Sequence, residues 1–438
     1  MPSVAFHTLG CKVNQIETEQ IKEDFIVKGY DIVSFQDKAD IYIINTCTVT
    51  HISDRKSRSI IRRAIRNNPD AVVAAIGCLP QVNADELRKI EGLNIIVGNR
   101  DKANIVDIIE DYDEKKNIVM AGNITKNDKL SPVLFSNLHE RTRAFIKIQD
   151  GCVSYCSYCI VPLTRGPVRS KSPEDVLAEL VNLLDLGYKE IVLTGIHTGF
   201  YGIDIGNINL LGLLELILSH TNEYKYRLRL SSIEPLEVTD GLISLIKEED
   251  KLCRHLHLPL QSGSNKVLQD MNRRYSREYY YELVLKIAET IPDVAIATDI
   301  MVGFPTEDEA DFEDTFALID TLPLTHFHVF KYSPRPATKA YNLKSLVDEK
   351  GKNYRSSQLL SLAREKSQIF IKDNLGKTKK LLVERKLDDG SFHGLTDNYL
   401  EVNFVAETDQ VGDFVTVKLI NVDKDNDLIT GNLLEIKR

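Results

Sequence analysis

No run of eighteen or more apolar residues occurs anywhere in the 438-residue chain, which excludes a hydrophobic membrane-spanning helix. The opening stretch MPSVAFHTLG has no basic region followed by an apolar one, and the closing LLEIKR carries no anchor. Neither a secretory signal nor a membrane tail is expected. Cysteine is scarce and odd in number, at seven, which fits a disulfide framework poorly. A cytoplasmic location follows, where thiols stay reduced. An excess of positive charge is also missing. Lys and Arg number 55 against 64 Asp and Glu, for a net charge of −9, so the overall charge does not mark a nucleic-acid binder. The remaining balance, 43% hydrophobic and 27% charged, is that of a globular protein with room for several domain cores.

Three of the seven cysteines, Cys152, Cys156 and Cys159, crowd into CVSYCSYC. Tight spacing of thiols in a reducing compartment points to metal. Structural zinc usually takes four ligands in CxxC pairs, and here there is neither a second pair nor a nearby histidine. A 4Fe–4S cubane held by three thiolates keeps its fourth iron open to another ligand. The stretch resembles the signature loop of radical S-adenosylmethionine (SAM) enzymes. That resemblance implies that the open iron chelates SAM, that reductive cleavage gives a 5′-deoxyadenosyl radical, and that Tyr158 lies against the adenine.

Cys11, Cys47 and Cys78 each follow a short β-branched run, and helical patterns such as QIETEQIKEDFIVKGY and SDRKSRSIIRRAIRNN lie between the runs. Alternating strand and helix predicts a parallel sheet, which places all three cysteines at strand C-terminal ends on one rim, where open α/β sheets bind ligands. They converge on a second cluster there, or else are structural thiols. From about residue 141 the alternation resumes through RAFIKIQ, EIVLTG, YRLRLSS, HLHLPLQ, VAIATDIMVG and HFHVFKYS. Six β/α units predict an open, partial barrel with Thr194, Gly195, Ser231, Ser232, Glu234, Gln261 and Asp299 near its mouth. A Ser or Glu at a strand end also serves as a helix cap. Cys253, with no cysteine partner, reads as a packed thiol, and His255 and His257 as buried or hydrogen-bonded. A last set of short strands, KKLLVER, SFHGLT, YLEVNFV, FVTVKLINV and LITGNLLEIK, predicts a five-stranded barrel.

TLGCKVNQIETE, INTCTVT, IGCLPQ, KIQDGCVSYCSYCIVPLTRGPVRS, EIVLTGIHTGFYG, RLRLSSIEPLEV, HLHLPLQSGS, MNRRY and TDIMVGFPTE appear in the order found in the radical SAM methylthiotransferase family, which the chain resembles over nearly its whole length. The resemblance implies three parts. A flavodoxin-like domain (1–125) holds an auxiliary 4Fe–4S cluster through Cys11, Cys47 and Cys78. A linker (126–140) leads to a radical SAM domain (141–372), whose partial (β/α)6 barrel binds SAM through the mouth residues, with Glu234 at the ribose hydroxyls. The last part (373–438) resembles the TRAM domain, a small RNA-binding barrel. LGCKVN and LCRHLHLPLQSGS most resemble the bacterial threonylcarbamoyl branch of the family. The implied reaction adds a methylthio group to C2 of N6-threonylcarbamoyladenosine beside the tRNA anticodon. One SAM methylates sulfur at the auxiliary cluster and a second provides the radical. The alternatives within the family are isopentenyladenosine of tRNA or an aspartate of a ribosomal protein. The implied partners are the tRNA anticodon stem-loop, an electron donor such as flavodoxin or ferredoxin, and a sulfur source.

From 375 to 438, nine Lys and Arg face twelve Asp and Glu, so only a local edge of Lys377, Lys379, Lys380, Arg385 and Lys386 offers RNA a grip. A stronger footprint is DRKSRSIIRRAIR, where Arg55, Arg58, Arg62 and Arg66 share a helix face by i+3 and i+4 spacing and suit RNA phosphates. An electron carrier with two clusters and an RNA-binding module with structural clusters are the readings outside this enzyme class.

Overall fold

The computed structural model describes residues 1–113, 116–136, 142–206, 208–423 and 427–436. Residues 137–140, the end of the expected linker, and residue 141, where the central region was expected to start, lie outside these. Two compact units form: Met1–Ser136 with Gln149–Lys171 and Ser333–Asn342, and Asn137–Ile148 with Ser172–Tyr332 and Leu343–Arg438. This division cuts across the boundaries expected from sequence, because the three-cysteine loop at 152–159 packs with the first unit and the C-terminal barrel with the second.

The first unit is built on β1 (Ser3–Thr8), α1 (Lys12–Val27), β2 (Asp31–Val33), β3 (Ile41–Thr46), α2 (His51–Asn67), β4 (Val72–Gly77), α3 (Cys78–Leu87), β5 (Ile95–Val97), α4 (Ile105–Glu110) and β6 (Ile118–Met120). The six strands pair parallel in the order β2-β1-β3-β4-β5-β6. This is the flavodoxin-like order, with its switch point between β1 and β3. Successive residues of a strand face opposite sides. Ile41 and Ile43 of β3 accordingly pack with Ile21, Phe25 and Ile105, while Tyr42 and Ile44 pack with Ile61, Ala64 and Leu79. Both faces of the central strands β3, β4 and β5 are buried, so these strands are largely apolar, whereas the edge strand β2 is exposed. Thr50 starts α2 by accepting a hydrogen bond from the Ser53 amide at 3.1 Å. After β7 (Arg143–Asp150) come α5 (Val161–Arg165) and β8 (Arg169–Ser170), whose two residues pair antiparallel with Gln149 and Asp150.

All six strands expected for the central barrel form: β7, β9 (Glu190–Gly195), β10 (Arg227–Leu230), β11 (His255–His257), β12 (Ala295–Val302) and β13 (His326–Lys331). β10, β9 and β7 are neighbours in one sheet, and β11, β12 and β13 in another. A parallel bridge from Leu228 to Leu252, just ahead of β11, and a hydrogen bond from Ile233 N to His257 O at 3.0 Å join the two sheets into an open arc. Helices including α6 (Pro173–Asp185), α7 (Leu210–His220) and α8 (Asp240–Glu248) connect the strands. The C-terminal strands β14 (Thr378–Lys386), β15 (Phe392–Thr396), β16 (Glu401–Phe404), β17 (Phe414–Asp423) and β18 (Leu428–Ile436) close as a barrel in the order β14-β15-β16-β18-β17. Its core holds Leu381, Val383, Phe392, Phe404, Val415 and Val417. No helix among the described residues is long and apolar enough to cross a membrane.

A buried carboxylate helps fix the C-terminal barrel to the arc, alongside the pairing of Asp293 with Lys377 and Lys379. Glu190 of β9 pairs with Arg227 at 2.5 Å and Arg229 at 2.7 Å. Those guanidinium groups in turn donate to the carbonyls of Leu395 (2.7 Å), Thr396 (3.0 Å) and Asp397 (2.9 Å). Burial works to raise the Glu190 pKa, but Arg227, Arg229 and Arg143 outweigh it and bring it down to about 2. A carboxylate whose pKa is depressed in the folded state stabilises the fold above its unfolded pKa, near 4.5, and loses that contribution as pH falls through the folded value. The contribution is about 3 kcal/mol. Glu190→Gln is therefore expected to lower stability by about that amount at neutral pH, with the difference from wild type shrinking as pH falls from about 4.5 toward 2. Urea unfolding at several pH values measures it, and a pH-independent difference would contradict the assignment.

Candidate active site

Cys11, Cys47 and Cys78 stand just past the C-terminal ends of β1, β3 and β4, three neighbouring strands of one sheet. Side chains bind the three turns together. Asn14 Nδ2 donates to the carbonyls of Leu9 (2.7 Å) and Thr46 (3.0 Å), and Thr46 Oγ1 donates to that of Ile76 (2.7 Å). Gly10 holds φ +101°, and a Cβ there would lie 2.8 Å from Cys47 Cβ. Only glycine allows the Cys11 turn to approach Cys47 this closely. Cys11 caps α1 and Cys78 opens α3.

Cys11 and Cys47 respond to burial and to their neighbours. Burial foremost raises the Cys11 pKa, Arg165 opposes it, and Cys78 adds to it; Cys11 nevertheless keeps contact with solvent. Burial likewise raises that of Cys47, opposed by the Val49 amide and reinforced by Cys78 and Cys11. No three His, Cys, Asp or Glu among the described residues meet closely enough to hold a single metal ion. A cubane does not ask for that, because each thiolate binds a different iron.

The second cysteine set forms a separate loop of the same unit. Gly151, at φ +79°, leads into it, and a Cβ there would collide with the Pro167 carbonyl. Cys152 N donates to Gly166 O at 3.1 Å and Cys159 N to Cys156 O at 2.9 Å. Cys152, Cys156 and Cys159 are all partly exposed. Ser157 O accepts from Ala340 N at 2.7 Å. On the same segment, Arg335 pairs at 2.8 Å with Asp54 of α2, near Cys47. Residues 333–342 therefore belong to the cysteine-bearing unit although they are remote in sequence.

A buried charge network backs both sets. Arg165, 1% exposed, donates to Glu17 Oε1 at 2.8 Å, to Asp150 Oδ2 at 3.2 Å and to Asn14 Oδ1. Lys102 Nζ donates to Glu17 and, at 2.6 Å, to Asn99 Oδ1. Arg169 lies 3.4 Å from Asp150. Among the described residues, three buried cations thus face two buried carboxylates, Glu17 and Asp150, an excess of buried positive charge next to the thiols that the partly exposed Asp128 offsets in part at Arg169. Burial works against the Arg165 cation, yet Glu17, Asp150, Cys78 and Cys11 hold it firmly charged. Isolated buried charge is costly, so this excess suits a neighbouring anion. A cubane bound by three thiolates is one, and the residues fit such a group.

In the second unit the residues expected at SAM sort themselves more finely. Thr194 and Gly195 end β9 as expected, with Thr194 buried. Ser231 bonds Thr198 at 2.9 Å, and Ser232 bonds His257, which reaches Asp299 at 3.1 Å. Asp299 stands in the middle of β12, short of the strand end where it was expected. Glu234 pairs with Arg273 at 2.8 Å and stands at the N-cap of the short turn Pro235–Glu237. Burial raises its pKa, opposed by Arg273. Gln261 adopts φ +70°, and its backbone N–H donates to Asp299 O at 2.8 Å. Tyr158, in the first unit, is partly exposed. Burial pushes the Cys253 thiol up to about 12, as a packed thiol requires.

Of the residues expected to meet RNA, Arg55, Arg62 and Arg66 are exposed on α2 and Arg58 is half-buried. The single acid of this helix, Asp54, is buried against Arg335. Lys379 departs from expectation: it is buried and paired with Asp293 at 2.9 Å, and Lys377 pairs with the same carboxylate. Lys380 lies 4.0 Å over the Phe414 ring. The barrel edge is therefore less basic than its sequence. Sequence reasoning missed Asn14, Glu17, Asn99, Lys102, Asp150 and Arg335. Arg165, six residues after Cys159, was in view in LTRG but carried no sign of its partners.

A family model described as radical SAM superfamily matches residues 146–319, one described as TRAM domain matches 372–428, and one described as uncharacterized protein family UPF0004 matches 3–98. Among solved structures, the radical SAM methyltransferase TsrM from Kitasatospora setae aligns with TM-score 0.60 and 14% identity, over 78% of this chain and 75% of that one. The fold and the CxxxCxxC loop thus define a radical SAM enzyme, which uses SAM and a 4Fe–4S cluster. Curated relatives narrow the class. Threonylcarbamoyladenosine tRNA methylthiotransferase MtaB of Bacillus subtilis is 40% identical, over 96% of this chain and 94% of its own length, and that of Aquifex aeolicus 43% identical over 91% and 96%. The tRNA-2-methylthio-N(6)-dimethylallyladenosine synthase of Clostridium botulinum is 35% identical over 94% and 93%. The chain belongs to the MtaB-like methylthiotransferase family.

Proposed function

We propose that this enzyme inserts a methylthio group at C2 of N6-threonylcarbamoyladenosine beside the anticodon of tRNA, and that it holds two 4Fe–4S clusters. The observation that carries the reading is the convergence of Cys11, Cys47 and Cys78 at three adjacent strand ends, backed by the buried positive excess around Arg165. Cys152, Cys156 and Cys159 would hold the cluster that serves SAM, and Cys11, Cys47 and Cys78 the second. Together these groups supply what side chains alone lack, a radical able to break an unactivated C–H bond and a sulfur to replace the hydrogen. The protein's own share is to bind and orient. Tyr158, Thr194, Gly195, Ser231, Ser232, Glu234, Gln261 and Asp299 are the proposed SAM contacts. The exposed arginines of α2 position tRNA phosphates, and the anticodon-loop base must leave its stack to react. The C-terminal barrel adds RNA contacts through Lys380 and its neighbours. An electron donor such as flavodoxin or ferredoxin and a sulfur source complete the reaction, in the cytoplasm.

Nucleoside mass spectrometry of bulk tRNA tests this in cells lacking the gene, restored with wild type or with Cys11→Ala. The expected result is loss of 2-methylthio-N6-threonylcarbamoyladenosine, recovered with wild type alone. Loss of the methylthio form of isopentenyladenosine instead would move the substrate. An unchanged nucleoside profile would overturn the tRNA reading and turn attention to a ribosomal protein.

A further inference from the structure

Asn99 follows β5, the next strand along the rim from β4 and Cys78. Its side chain is buried, and its Nδ2 lies 3.4 Å from Cys78 Sγ and 2.7 Å from Thr164 O. Which end of an amide points where is settled by its partners. Lys102 Nζ, 2.6 Å from Oδ1, has only protons to give, so the oxygen must face it. Thr164 O has only lone pairs, so the NH2 must face that side, and with it the Cys78 sulfur. Lys102 is itself held by Glu17, which Arg165 also grips. The Asn99 backbone amide donates to Gln81 Oε1 at 2.9 Å, and Gln81 lies on the helix that Cys78 opens. Every polar atom of the amide is thus assigned by a neighbour of fixed character.

We infer that Asn99 is a positioning residue for the second cluster, donating an N–H···S hydrogen bond to the Cys78 thiolate and raising the reduction potential of the iron it binds. The inference rests on the preceding reading of Cys11, Cys47 and Cys78 as cluster ligands. Hydrogen bonds to ligating sulfur withdraw electron density and favour the reduced state, which makes them one of the protein's levers on cluster potential. The second N–H, on Thr164 O, ties the same amide to the helix that follows Cys159. One side chain therefore holds Cys78 and anchors the segment leaving the other cysteine loop.

The test uses the full chain with Cys152, Cys156 and Cys159 changed to alanine, so that only the second cluster remains. Its midpoint potential is read by electron paramagnetic resonance during redox titration, and exchangeable protons coupled to it by electron–nuclear double resonance after exchange into D2O. In Asn99→Ala the potential is expected to move negative and one exchangeable coupling to disappear, at unchanged iron content. Should alanine cost the cluster, Asn99→Asp carries the test through the proton coupling alone, because it keeps the shape and the Lys102 contact while removing the donor, and its added charge would move the potential by itself. An unchanged potential with the coupling retained in Asn99→Ala, or the coupling retained in Asn99→Asp, overturns the inference and leaves the ligand assignment standing. A parent protein that holds no iron overturns the ligand assignment, and the inference with it.

Discussion

Changing Cys11, Cys47 and Cys78 together to alanine is expected to abolish methylthio transfer, reduce bound iron to about half, and leave SAM cleavage to 5′-deoxyadenosine intact. Changing Cys152, Cys156 and Cys159 is expected to abolish both SAM cleavage and transfer, with a similar loss of iron. The asymmetry follows from position. The first set lies on the rim of the flavodoxin-like sheet, bound by Asn14, Thr46 and Gly10. The second lies on its own loop, closed through Gly166 and Cys156 and docked by Ala340. The rim set can therefore be removed without dismantling the other loop. Iron and acid-labile sulfide analysis, with 5′-deoxyadenosine measured after chemical reduction, distinguishes the sets. Full iron content in the Cys11/Cys47/Cys78 variant would show that those thiols are structural, and loss of SAM cleavage in it would show that the two sets are not independent.

Reversing Arg58 and Arg62 to glutamate is the change expected to cost most tRNA affinity. Each phosphate contact contributes about 0.9 to the slope of log affinity against log salt, so losing two should flatten that slope by about 2, with an affinity loss on the order of tenfold to a hundredfold at low salt. The choice of helix rests on compensation. Among the described residues, Arg55, Arg58, Arg62 and Arg66 form no ion pair with an acid, and Asp54 is already committed to Arg335. Lys379, by contrast, is held by Asp293, and reversing it would disturb the barrel's attachment more than RNA binding. Filter binding of tRNA across a salt series checks the result. An unchanged affinity and slope would remove α2 from the interface, and an equal loss in Lys380→Glu would shift the main contact to the barrel.

Much of this protein is determined locally and is legible in its sequence. CVSYCSYC states its chemistry because three thiolates at that spacing suit an open cubane regardless of what surrounds them. The alternation of β-branched runs with amphipathic helices dictates a parallel sheet, and chain direction then forces Cys11, Cys47 and Cys78 onto one rim. Most strands of the arc and of the small barrel are long or regular enough to show their periodicity; β11, with three residues, is legible only within the longer run HLHLPLQ. Three-residue strands such as Asp31–Val33, Ile95–Val97 and Ile118–Met120 are not, and only pairing with neighbours makes them strands. Tertiary structure alone decided the rest, because it depends on partners far apart in the chain. Glu17, Asn99, Lys102, Asp150 and Arg165 are ordinary polar residues in sequence, and become one buried network only when the rim and the helix after Cys159 meet. Lys379 reads as an RNA contact until Asp293 is found beside it. A side chain's type fixes what it can donate or accept, but which group it faces is set by the packing of distant segments.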